Sequence, residues 1–280
     1  MLAAIANTDY EGEITNYGDK VTIRTKPSIT INNYVAYQAL VNEAPSSAVV
    51  ELLIDKGKYW STLLDDVMEV QSDLDHLSMW ADDASEQLKI SIDTQVLAGI
   101  AVDIDADNKG QTAGRLDGAI DLGGTTTTTG VNITVGAASN AIDKIVECGQ
   151  VLDEQNIPES GRWMVIPAWM ASLIKRSELR DASLTGDGVS MLRNGRLGMI
   201  DRFTLYGSNL LPIEGGNNAT NIFFGHSHGL TFASQLTKVE TLRGESTFGT
   251  ILRGLQVFGF KVVDGKSLGV LRAHKQGTGT

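Results

Sequence analysis

The sequence is short of thiols, of positive charge and of long apolar runs, and each shortage removes a class of function. Cys148 is the single cysteine in 280 residues, so an intrachain disulfide and a cysteine-based metal cluster are both excluded. A lone thiol of this kind fits burial in a protein folded in a reducing cytosol. Lys and Arg number 23 against 34 Asp and Glu, a net charge of −11. A chain so poor in cations lacks the basic face that a tight nucleic-acid binder uses to neutralise phosphates. No apolar stretch approaches the roughly 20 residues that cross a bilayer. Met1–Ile5 has neither the basic start nor the apolar run of a secretion signal, so the expectation is a soluble protein made in the cytoplasm. What remains is ample for a core: the hydrophobic fraction is 42%, and the length suits one large domain or two joined subdomains.

The chain opens with material that reads as β-ribbon. Over residues 10–33, Val21 and Ile23 alternate with Thr22 and Arg24, and Ile29 and Ile31 resume the alternation after Pro27. A second strand pair is expected at Ala48–Ile54 and Lys58–Leu64, turning at Asp55-Lys56-Gly57. Neither ribbon holds enough apolar residues to close a core alone, so both should lean on something else, another subunit included. The clearest helix runs from Met68 to Ile100, with no proline and no glycine before Gly99. Val70, Leu74, Leu77, Ala81, Ala84, Leu88, Ile92 and Val96 line one face at spacings of three or four. Asp73, Asp75, Asp82, Asp83 and Glu86 occupy the other, and the whole would extend roughly 50 Å.

Residues 103–135 read as loop and short strand. A helix follows from an N-cap at Asn140, carrying Ile142, Ile145, Val146 and Leu152 inward and ending before Pro158. Strands are expected at Arg162–Ile166, Arg202–Tyr206 and Asn221–Phe224, with a short helix from Pro167 to Arg176. Leu236–Arg243, Thr247–Val263 and Ser267–Ala273 read as a three-stranded antiparallel set, with Gly249, Gly254 and Gly259 suggesting bends or bulges. Charge is uneven along this order. Between Glu43 and Asp107 there are 15 acidic residues against Lys56, Lys58 and Lys89, whereas the last strands are basic. An acidic helix meeting a neighbour's basic sheet would suit head-to-tail packing of identical copies; a solvated surface is the plainer account.

Four motifs invite a chemical reading. Gly225-His226-Ser227-His228-Gly229 matches the G-x-S-x-G nucleophile elbow, with Asp264 and His274 downstream in hydrolase order. An elbow needs a strand-to-helix turn over a parallel sheet, and Leu230-Thr231-Phe232 does not begin a helix, so a glycine-bounded turn is favoured. His226 and His228 form a conceivable metal pair, but two ligands do not make a zinc site. Asp103, Asp105 and Asp107 have the spacing of a calcium loop that then fails at Asn108 and Gly114. Gly265-Lys266-Ser267 ends like a phosphate loop without its leading glycine. No cofactor or metal is expected.

The order of these segments resembles the major capsid (coat) protein family of tailed bacteriophages, which shares the Hong Kong 97 (HK97-like) fold. The resemblance is carried by Ala6–Ile14 with Gly18–Ile23, by Leu64–Val67 before Gln71-Ser72, by Asn194–Ile200 through Leu211-Pro212, and by Glu240, Arg243, Phe248-Gly249 and Gly254–Gly259. It implies an α+β fold divided into arms with an extended β-loop (1–67), a spine helix and peripheral loops (68–135), an axial α/β domain (136–235) and peripheral strands (236–280). It also implies a non-enzymatic subunit whose pentamers and hexamers close an icosahedral shell around double-stranded DNA, assembled in the host cytoplasm into the virion. Portal, scaffolding and decoration proteins would be further partners. Lys20, Arg24, Lys26, Asp73, Asp82, Arg243, Glu245 and Arg253 are the expected intersubunit contacts, with solvated surface charge as the alternative for each. An encapsulin-like cargo shell and a serine hydrolase built on Ser227 are the competing functions.

Overall fold

The computed structural model describes residues 2–9, 20–24, 27, 29–34, 36–40, 42–45, 49–71, 76–124, 130–135, 139–176, 198–214, 218–245 and 247–276. Two sheets and a short hairpin organise these residues. The larger, seven-stranded sheet is built from β4 (Val131–Ile133), β12 (Leu268–Lys275), β9 (Ala219–His226), β5 (Arg162–Ile166), β7 (Phe203–Gly207) and β6 (Met199–Ile200) in that spatial order, with β8 (Ile213–Glu214) paired to β9. Its central strands β5, β9 and β12 are buried on both faces, which is why they read as apolar runs rather than alternations. On one face lie α4 (Ala141–Glu154) and α5 (Ala168–Arg176), packing Ile145, Cys148, Leu152 and Leu173 against Met164, Phe203, Phe224 and Leu271. Burial drives the Cys148 thiol far above its ordinary pKa, so it stays protonated and inert.

The smaller sheet has three long strands, β10 (Leu230–Arg243), β11 (Gly249–Val262) and β3 (Lys56–Asp65), antiparallel throughout. The spine helix α3 (His76–Ile100) lies against β3 and β11, and its C-terminal half carries the core. Ile92, Val96, Leu97 and Ile100 pack with Phe258 and Val262 of the small sheet and with Trp163, Phe223 and Val270 on the second face of the large sheet. One apolar cluster thus joins both sheets through one end of one helix.

Several expectations need correction. The spine is described in two stretches, α2 (Asp66–Gln71) and α3 (His76–Ile100), and residues 72–75 between them, with Asp73, Leu74 and Asp75, lie outside the described residues. The 25 residues of α3 span about 37 Å. Leu77, Ala81 and Ala84 fall on the expected face but are only half-buried, and the core contacts of the helix are made further along, at Ile92, Val96, Leu97 and Ile100. The strands at 49–53 and 56–65 do not form a hairpin. β2 (Val49–Leu53) pairs with β1 (Lys20–Arg24), while β3 pairs with β11, some 190 residues away. Among the described residues of 25–33 no strand appears, so Ile29 and Ile31 do not extend β1.

The last correction concerns the C-terminal set. β12 leaves the small sheet and inserts between β4 and β9, so the third strand of the set is β3. The register shift occurs in β10, between Ser234 and Leu236, and not at the glycines of β11. Those glycines serve close approach instead. A β-carbon at Gly254 would overlap the Trp60 indole, and one at Gly259 would overlap the Leu53 carbonyl. In α4, Ile145 and Leu152 point inward as expected, but Val146 is exposed, and Asn140 makes no capping bond. Its side chain is held by Thr134 instead.

Candidate subunit interface

Among the described residues, helix α3 packs on the face of the small sheet carrying Phe258 and Val262, and the opposite face is closed at its root and open beyond it. At the root, Val21, Ile23, Leu52 and Ile54 of the β1–β2 hairpin pack on Ala233 and Val257. Beyond it, strand alternation places Tyr59, Ser61 and Leu63 outward, and register sets them beside Leu255, Arg253 and Ile251 and then Lys238, Glu240 and Leu242. Tyr59 is 80% exposed and Leu63 47%, and Tyr59, Ser61, Lys238, Glu240, Arg253 and Leu255 line an open groove of about 490 Å³.

Polar contacts cross the middle of this face. Glu240 and Arg253 are directly opposed, and Arg253 Nε donates to Glu240 Oε1 at 2.5 Å. Lys238 Nζ lies 2.9 Å from the same carboxylate. Hydrogen bonds first from Lys238 and then from Arg253 hold the Glu240 carboxyl below its usual range. At the far end of β10, Arg243 makes a forked pair with Asp66, its Nη1 donating to Oδ1 at 2.8 Å. Two of the three expected interface arginines, Arg243 and Arg253, therefore already have carboxylate partners inside the subunit. Neither carboxylate carried a local signal in the sequence: Asp66 lies 177 residues from Arg243, and Glu240 meets Arg253 only through the register of β10 and β11.

The other expected contacts are scattered. Lys20 pairs with Glu51 across β1 and β2 at 3.0 Å, and Arg24 ends β1 exposed. Asp82 stands exposed on α3, and Glu245 is exposed in the β10–β11 turn beside Phe248, which is 84% exposed. Lys26 and Asp73 lie outside the described residues. The structure thus gathers Arg243, Glu245 and Arg253 on one sheet and leaves Lys20 and Arg24 on the hairpin.

Composition could not reveal how apolar the exposed arm is. Between β1 and β2 the described residues show Ile29, Ile31, Tyr34, Tyr37 and Leu40 at 64% exposure or more. The Thr30 amide donates to Glu43 Oε2 at 3.0 Å, so the segment doubles back on itself. Ile29, Ile31 and Leu40 would each gain about 1.5–3 kcal/mol on full burial. Single exposed apolar residues are ordinary; five within twelve positions mark a surface awaiting a partner.

The chemical motifs occupy structural places. Ser227 lies in a 3₁₀ turn, Ser227–Gly229, linking β9 to β10. Asp264 contacts His228, while His274 sits at the far end of β12, about 20 Å along the strand. The glycine-bounded turn favoured by the sequence is what forms, and the alternative triad of Ser227, Asp264 and His274 is not brought together. Asp103 pairs with Lys261 at 2.7 Å, and Asp105 caps the 3₁₀ turn Ala106–Asn108. Asn108, where a calcium loop needs glycine, is buried and donates to the carbonyls of Lys266 and Leu268. Ser267 Oγ donates to the Asp264 carbonyl, which uses the hydroxyl that a phosphate loop would offer to a metal. Among the described residues no group of three or more His, Cys, Asp or Glu is arranged to hold a metal ion.

Comparison with known proteins bears on what this surface meets. The profile of the family described as phage capsid protein matches residues 54–273. A chain of Mycobacterium phage Che8 superposes with a TM-score of 0.74 at 26% identity, covering 100% of this chain and 92% of its own. The mature capsid of bacteriophage PhiM1 gives 0.68 at 13% identity, with 97% and 88% covered. The capsid of cyanophage P-SCSP1u gives 0.67 at 18% identity, with 93% and 85% covered. No match is found among curated protein sequences.

Proposed function

The chain belongs to the phage capsid protein family and is a major capsid subunit that forms a shell, and from that premise we propose how its parts divide the work. The β1–β2 hairpin and the segment it carries act as the extended arm that reaches over a neighbouring copy. The small sheet with α3 forms the peripheral contact between capsomers. The large sheet with α4 and α5 forms the axial domain that converges at capsomer centres. The proposed axial unit then includes β4 and β12 as well as residues 136–235, because those strands hydrogen-bond into its sheet. Pentamers and hexamers of the subunit close an icosahedral shell around double-stranded DNA, assembled in the host cytoplasm, with portal, scaffolding and decoration proteins as further partners. The net charge of −11 favours weak DNA contact, so that the genome can be packed and released. The role is structural, without catalysis.

The apolar arm is the observation that carries this reading. A subunit gains nothing from Ile31 and Tyr37 in water, whereas a neighbour's surface supplies their burial. The test is Ile31→Ser with Tyr37→Ser, followed by sedimentation and negative-stain microscopy. Folded subunits that no longer form particles are the expected result. Wild-type particle yield from the double variant overturns the assignment of the arm. Reversing charge with Arg243→Glu and Arg253→Glu tests the sheet separately, and unchanged assembly would remove both from the interface.

A further inference from the structure

The chain passes directly from strand to strand between the two sheets at two places. Both are short 3₁₀ turns: Ser227–Gly229 joins β9 to β10, and Gly265–Ser267 joins β11 to β12. They lie side by side. The Val263 amide donates to the Gly229 carbonyl at 2.8 Å, and a β-carbon at Gly229 would overlap Ser267 Oγ. Any change in the angle between the sheets must be absorbed at this double crossing.

Two histidines and an aspartate hold the crossing. His226 Nδ1 lies 2.6 Å from His228 Nδ1 and also accepts from the His228 amide at 3.2 Å. Because Nδ1 accepts from the His228 amide, a neutral His226 carries its proton on Nε2, and the Ser160 backbone also bonds this side chain. His228 Nε2 faces Asp264 Oδ2 at 3.3 Å. The row therefore runs from the Asp264 carboxylate through His228 to a neutral His226. With His228 donating at Nε2 to Asp264 and at Nδ1 to His226, the next proton can enter the pair only at His226 Nδ1. There it removes the acceptor of two hydrogen bonds and sets N–H against N–H.

We propose that His226, His228 and Asp264 form a proton-operated latch across the two inter-sheet crossings, closed while His226 is neutral and released when it is protonated.

The surrounding charges work in one direction. Burial, then the charge of His228, and further the Arg162 guanidinium on β5, hold His226 below its usual 6.5, against the Ser160 bond. Arg162 itself is paired with Asp153 at 2.7 Å. Asp264 is held below its usual 3.8 by the His228 hydrogen bond first, with the Lys266 amide and ammonium also lowering it, so it stays ionised through the range in which His226 responds. Because the closed form binds the His226 proton less readily than the open form, closure is fully favoured above about pH 6.5. It weakens as pH falls toward the depressed value of the closed state.

The test is amide hydrogen exchange on assembled particles of the full chain between pH 7.5 and 5, corrected for the intrinsic pH dependence of exchange. Protection at Val263 should fall by about tenfold for each pK unit by which His226 is held down, while Val151 in α4 stays constant. His226→Asn, which keeps an oxygen acceptor and takes no proton, should show pH-independent protection at Val263. Equal loss in wild type and variant, loss spread evenly to Val151, or no loss in wild type each overturns the latch. Should the variant fail to fold, the wild-type ratio of Val263 to Val151 protection decides alone.

Discussion

Gly259 offers a stringent test of how the arm is rooted, because identical chemistry at Gly57 should have the opposite effect. A β-carbon at Gly259 would lie 3.0 Å from the Leu53 carbonyl carbon and 3.1 Å from Ile54 Cα, and would overlap the Leu53 oxygen. These are backbone atoms, so no rotamer change relieves them. Overpacking of this kind costs about 1–3 kcal/mol. Relief by lifting β2 would expose Leu52, which is fully buried, at about 1.5–3 kcal/mol more. The chain will choose the cheaper route, so Gly259→Ala should destabilise by about 2–3 kcal/mol. Gly57, in β3, has nothing within 4 Å and no left-handed backbone. There Gly57→Ala should stabilise by about 0.5 kcal/mol by restricting the unfolded chain. The expected gap is about 3 kcal/mol, roughly two powers of ten in the unfolding equilibrium. Urea denaturation of unassembled subunits measures it directly. If the two variants unfold at the same midpoint, with slopes unchanged, the hairpin is not seated on β11 as described.

Four further outcomes follow from individual residues. Asp153 bridges Arg162, whose side chain is fully buried, and Arg202, so Asp153→Asn should cost about 2 kcal/mol, less than a wholly buried pair because the carboxylate is 41% exposed. The same carboxyl is opposed by burial but pulled below its usual 3.8 by hydrogen bonds from Arg162 and Arg202, so its contribution is present above about pH 4 and is lost as pH falls through the depressed value; acid denaturation of wild type against Asp153→Asn shows whether that loss vanishes in the variant. Leu52→Ala, in the cluster beneath the arm, should destabilise by about 2–4 kcal/mol in urea and speed proteolysis within 25–48. Ser227→Ala should leave particle yield unchanged, and any ester hydrolysis by the purified protein should be the same with and without the hydroxyl.

Local patterns were legible in the sequence, and pairings between distant segments were not. The α4 helix, β5, α5 and β9 were readable because their apolar residues and flanking prolines act within a few positions. The hairpin expected at Asp55–Gly57 failed because proximity in sequence competes with register, and β3 finds a longer partner in β11. β12 was misplaced for the same reason: short turns usually join neighbours in one sheet, but Gly265–Ser267 carries the chain into the other. Charge was legible as a tally and not as geometry. Arg243 and Arg253 stood out as cations, while the carboxylates beside them, Asp66 and Glu240, became visible only once the strands were aligned.

The placement of β12 and β11 also orders events during synthesis. Completing the small sheet requires residues 249–262 to meet a strand made some 190 residues earlier, and the large sheet waits for residues 268–275 at its interior. Contacts of such long separation form late and slowly. A chain that has not yet made β11 and β12 therefore lacks the finished surface, although its arm is already made. The order of synthesis thus makes the arm available before the sheets beside it are complete, so that growth of the subunit and growth of the shell are separated in time.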